Sequence, residues 1–178
     1  MTDGDSTAPR EESLSLAVVV ARQPTGNPWV EYRWKVVGLL PVLHDREEWS
    51  ILEERGDETL FYAGAADVTL HATETDNYRH NLAGPNPAIY IILRRDHSGA
   101  QGLRLLTVTV DPGEVDSHSD VGDDLIEAMP MPPDVAAWIA DFNNRHHVER
   151  PFFKRKRDRP DNEALGHRLP SRGGGNEH

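Results

Sequence analysis

"AIYIILRRDHSGAQGLRLLTVTV", residues 88–110, decides the fold. Two apolar, β-branched runs, 88–95 and 103–110, flank a polar heptapeptide, 96–102, that supplies Asp, Ser and two Gly. Runs this short match strands rather than helices, and the polar insert carries turn chemistry. A parallel return needs a dozen or more residues, so this connection predicts a hairpin and antiparallel pairing.

Upstream the strand signals continue. "SLSLAVVVA" (13–21) is short, apolar and β-branched, and "QPTGNP" (23–28) follows with Pro24, Gly26 and Pro28 as turn formers. In "WVEYRWKVVGLLP" (29–41), Val30, Tyr32 and Trp34 alternate with Glu31, Arg33 and Lys35, the period of a half-exposed strand. "REEWSILEERGDE" (46–58) predicts a short helix or turn stopped at Gly56. "TLFYAGAADVTLHAT" (59–73) predicts two short strands around Gly64. "ETDNYRHNLAG" (74–84) predicts a helix with Thr75 as N-cap, Tyr78 and Leu82 one turn apart, and Gly84 as its end.

Downstream, "PPDVAAWIADFNNRHHV" (132–148) gives the strongest helix signal. Pro133 lies near its start, and Val135, Trp138, Ile139 and Phe142 form one apolar face. Strands dominate the first two thirds of the chain, and helices lie between or after them. The expected class is α+β: a mainly antiparallel sheet of about six strands with a C-terminal helix packed on it. Partial closure into a small barrel is the alternative arrangement. One domain is expected over 13–157, between disordered tails at 1–12 and 158–178, whose polar composition offers little to bury.

Composition removes several functions. The chain holds 178 residues, no cysteine and a formal charge of −11. Thiolate chemistry, disulfides and cysteine-based metal sites are therefore excluded. No apolar run is long enough for a membrane span, and the acidic start is unlike a secretory signal, so a cytoplasmic location is expected. Residues 150–159 carry six positive charges and one negative, which leaves −16 on the remainder. An acidic body repels phosphate, so nucleic acid is not an expected partner.

The chain has neither the G-x-x-x-x-G-K-[ST] loop nor a G-x-G-x-x-G turn between strand and helix. Ser50, Ser98, Ser117 and Ser119 lie outside any G-x-S-x-G elbow, and no catalytic residue is assigned. "DSHSDVGDDLIE" (116–127) spaces Asp116, His118, Asp120 and Glu127 like a calcium loop. Its glycine, Gly122, falls one place late, and histidine suits calcium poorly, so a solvated acidic turn is the better reading. His146 and His147 are adjacent, about 100° apart on a helix, and do not converge on one ion. They suit the negative end of a helix dipole. No metal or cofactor is expected.

"HHVERPFFKRKRDR" (146–159) then combines a helix stop at Pro151 with aromatics and a cationic run. Phe152 and Phe153 are candidate anchors, and Lys154, Arg155, Lys156 and Arg157 candidate steering charges, for a protein partner. A solvated basic tail is the bland alternative.

"VVVARQP", "WVEYRWKVVGLLP", "YRHNLAGPNPAIYIILRR", "TVTVDPGEV", "EAMPMPPDVAAWIADF" and "HHVERPFFKRKR" occur in that order over about residues 14–157. In these stretches the chain resembles an uncharacterised proteobacterial family of unknown function. Its members are often encoded beside molybdenum-dependent formate dehydrogenase genes. After "TVTV" members more often carry a Ser-Pro pair and a longer helix; here Gly113 weakens that helix. The resemblance implies a cytoplasmic accessory role linked to formate dehydrogenase or molybdenum cofactor supply, and the expected function is non-catalytic support of formate dehydrogenase expression, assembly or maturation. Its implied partner is a subunit of that enzyme or a maturation factor. The alternative is a binder or enzyme of the molybdopterin-guanine dinucleotide pathway, with Arg94, Arg95 or the late basic run cradling its phosphates.

Overall fold

The 88–110 stretch is a hairpin. In the computed structural model, which describes residues 10–148, β5 (Ala88–Arg95) and β6 (Leu103–Thr109) pair antiparallel from Tyr90↔Thr109 to Arg95↔Leu103. Asp96 organises the turn: its Oδ1 accepts from the Ser98 backbone N–H at 3.0 Å. The other edge of β5 pairs with β7 (Asp124–Pro130), in unbroken register from Ala88↔Pro130 to Arg94↔Asp124. β5 is thus central, and Ile89, Ile91, Ile92 and Leu93 are all buried. Cover on both faces explains why its sequence is a continuous apolar run rather than an alternating one.

A second antiparallel sheet has the order β2-β1-β4-β3, built from β1 (Glu11–Asn27), β2 (Val30–Leu40), β3 (Ser50–Arg55) and β4 (Glu58–His71). The α+β class stands. The described residues hold seven strands rather than six, in two sheets, and close no barrel. β1 starts two residues before the expected boundary at 13; residues 1–9 and 158–178 of the expected tails lie outside the described residues.

Three readings of strands and turns change. β3 replaces the helix or turn expected at 46–58, and Gly56 (φ +59) begins a two-residue hairpin turn into β4. Glu53, Glu54 and Arg55 favour helix by propensity, but β3 is an edge strand, where exposed charges discourage pairing with other chains. β4 is one strand, not two: Gly64 (φ +120) sits beside a bulge where the register moves from Val18↔Gly64 to Val19↔Tyr62. The β1–β2 turn falls at Pro28–Trp29, with Pro24 and Gly26 on the irregular end of β1. There Asn27 Oδ1 accepts from the Trp29 N–H at 2.9 Å.

β2 graduates from solvent to core. Val30 and Tyr32 are exposed, Trp34 is half-buried against Phe61 (ring centroids 5.6 Å apart), and Val36 is buried. One apolar cluster joins Val18 and Val20 of β1, Phe61, Val68 and Leu70 of β4, and Ile89, Ile91 and Leu93 of β5. Helix α3 (Pro133–His146) adds Val135, Ile139 and Phe142, the face its periodicity predicts. Helix α1 (Thr75–Ala83) adds Tyr78. A single 3-10 turn, Ala72–Glu74, leads into α1, so Thr75 is its buried first residue and Glu74 takes the cap position without a side-chain bond.

The short helix α2 (Pro112–Ser119) is capped by Asp111, whose Oδ1 accepts from the Gly113 N–H at 2.7 Å. The first and last elements are tied together through Glu12 of β1. It accepts from Trp138 Nε1 at 3.1 Å and from Arg145 Nη1 at 2.6 Å, both on α3. No helix among the described residues is long and apolar enough to cross a membrane.

Candidate functional site

The adjacent histidines diverge, as their spacing requires. α3 ends at His146, and His147 is extended (φ −72, ψ 123). The His146 ring lies 4.5 Å from that of Phe142, and its buried Nε2 has no hydrogen-bond partner. His147 turns to α1 instead, with Nδ1 3.2 Å from Thr75 Oγ1 and 3.5 Å from Asp76 Oδ1, while Nε2 meets Arg79 Nη1. A guanidinium can only donate, so Nε2 accepts and Nδ1 carries the proton in this arrangement.

These contacts form one end of a groove of about 500 Å³ between α1 and α3. Arg79, Leu82 and Ala83 line it from α1, and Ala140, Asn143 and Asn144 from α3. Asn143 is only 5 % exposed, yet neither Oδ1 nor Nδ2 has a partner. Asn81, 6 % exposed on α1, shows how a structural asparagine is satisfied. Its Nδ2 donates to the Ala88 and Val110 carbonyls, both at 2.8 Å, and its Oδ1 accepts from the Ala88 N–H at 3.0 Å. A buried polar group left unpaired costs about 1–3 kcal/mol, so Asn143 holds two unused bonding positions at the wall of a groove.

A second polar cluster is closed on itself. The solvent-inaccessible Asp124 side chain receives Arg94 Nε at 2.6 Å and Nη2 at 2.9 Å, and lies 3.0 Å from His118 Nδ1. Arg94, above all, and then His118 hold the Asp124 carboxyl below its ordinary value, against the opposing effect of burial. Arg95 is next along β5, and successive strand residues face opposite ways, so the two arginines expected to cradle phosphate do not share a face. The calcium-like spacing is not a loop: Asp116 and His118 lie on α2, and Glu127 lies in β7 opposite Ile91.

Phe152, Phe153, Lys154, Arg155, Lys156 and Arg157 lie outside the described residues, which end at Val148, directly after His147. Asn143 was missed in the sequence, although a signal is present. With Val135, Ile139 and Phe142 it occupies the i, i+4, i+7, i+8 stripe of α3, where an amide interrupts an apolar face.

Two antiparallel sheets that share one apolar cluster with α1 and α3, and a mixed polar and apolar groove between those helices, define a small α+β protein. The chain belongs to the family described as protein of unknown function (DUF3305), whose model matches residues 15–157. No curated protein and no solved structure matches it.

Proposed function

We propose that this is a non-catalytic accessory protein that works by binding a protein partner. The carrying observation is the buried, unpartnered carboxamide of Asn143 in the α1/α3 groove. That groove ends at His147, and the aromatic and cationic run Phe152–Arg157 begins five residues later in the sequence. The resemblance supplies the setting: cytoplasmic support of formate dehydrogenase expression, assembly or maturation, with an enzyme subunit or a maturation factor as partner. The molybdopterin-guanine dinucleotide alternative draws less support, because Nε and Nη2 of Arg94 are already engaged by Asp124.

Purified formate dehydrogenase subunits offered to the full chain, and to a chain ending at Arg150, test the reading. Recovery by the full chain and loss on truncation are expected. Equal recovery by both chains would remove the role of Phe152–Arg157. Unchanged formate dehydrogenase activity after deletion of the gene would remove the link to that enzyme.

A further inference from the structure

We propose that the α1/α3 groove recognises a short, extended, acidic peptide segment of the partner, with Asn143 pairing to its main chain and Arg79 to a carboxylate. The inference rests on the partner-binding reading and names the chemistry of that partner.

Asn143 sets the first requirement. Its Oδ1 lacks a donor and its Nδ2 lacks an acceptor, so a complementary ligand must present both side by side. One residue of an extended peptide does so with its N–H and C=O. Asn144, next along α3, also lines the groove and offers a further carboxamide for the same strand of peptide.

Arg79 sets the second. Its Nη1 meets the acceptor nitrogen of His147, and among the described residues no carboxylate is bound to it. Among the described residues its other guanidinium donors are unused, and carboxylate is the partner they match best. Leu82, Ala83 and Ala140 provide an apolar wall with little side-chain bulk, which leaves room for a chain to lie between the helices. The cationic residues from Lys154 onward follow in sequence, and their charge also favours an acidic ligand. A nucleotide would also offer paired donors and acceptors, and competition with GMP separates it from a peptide.

A phage-displayed library of random dodecapeptides, panned against the full chain, supplies the probes. Recovered peptides are labelled and titrated by fluorescence anisotropy. Enrichment in Asp and Glu is expected, with binding weakened about tenfold or more by Arg79→Glu and by Asn143→Leu. Asn143→Leu removes an unpaired amide, so this variant should also melt higher, by roughly 2–8 °C. A structural role for Asn143 predicts the opposite shift. Arg79 is exposed, so Arg79→Glu tests the groove without touching the core.

Absence of acidic enrichment, undiminished binding in both variants, or displacement of the peptides by GMP would overturn the inference. If both groove variants recover formate dehydrogenase subunits like the wild type while the chain ending at Arg150 does not, the groove inference falls and the partner-binding reading stands.

Discussion

Arg94 and Asp124 face each other across the β5–β7 ladder and meet through two parallel hydrogen bonds, 2.6 and 2.9 Å long. The pair ties the start of β7 to the end of β5, and His118 attaches α2 to the same carboxylate at 3.0 Å. Three elements thus share one buried anion, and breaking such a group leaves charge without compensation.

Asp124→Asn should therefore destabilise the protein by about 1.5–3 kcal/mol, read as a lower urea midpoint with an unchanged slope. A midpoint equal to wild type would show the pair to be energetically neutral.

The acid limb of stability follows from the same carboxylate. Asp124 titrates below its ordinary value when folded, so its contribution is complete above that value and fades as pH falls through the folded one. Glu12, held down first by Arg145, acts in the same direction. Melting temperature should fall below about pH 4, and Asp124→Asn should flatten that fall. An identical acid profile in the variant would refute the assignment.

The alkaline limb belongs to Tyr78. Burial pushes its phenol up to about 12, while its oxygen accepts the His71 N–H at 2.9 Å. The neutral form is favoured by folding, so its contribution is full below the unfolded tyrosine value, about 10, and is lost as pH rises towards about 12. Absorbance of tyrosinate should reveal one late-ionising tyrosine, absent in Tyr78→Phe.

The two buried asparagines should respond oppositely to loss of the amide. Asn81→Leu strands the Ala88 N–H and two carbonyls and should cost on the order of 3 kcal/mol. Thermal melts of Asn81→Leu and Asn143→Leu, run side by side, check this. Parallel losses would mean that Asn143 is bonded in solution.

Gly64→Ala should cost about 1–3 kcal/mol through its φ of +120. The added Cβ would also stand 3.2 Å from the flexible Glu48 side chain. The Gly64→Ala/Glu48→Ala double variant should regain little stability; full recovery would assign the loss to crowding instead.

The parts legible in the sequence are those whose local pattern agrees with their burial. β5 and β6 announce themselves because β5 is covered on both faces, and α3 because one stripe is. β3 was illegible because its pairing with β4 is a tertiary fact, and its exposed Glu53, Glu54 and Arg55 carry helix preference. The continuity of β4 through Gly64 was hidden because a glycine break and a glycine bulge read alike. Of the candidate site, the divergence of His146 and His147 follows from helix geometry alone. The groove does not, since the contact of Arg79 with His147 joins residues 68 apart in the chain.

Glu12 gives the molecule a mechanical character. By holding Trp138 and Arg145 it fastens the helix at one end of the described body to the strand at the other. β1, so fastened, carries a ladder with β4 that runs from Glu11↔His71 to Arg22↔Thr59. The C-terminal helix of the described residues is thereby moored to the longest strand pairing among them.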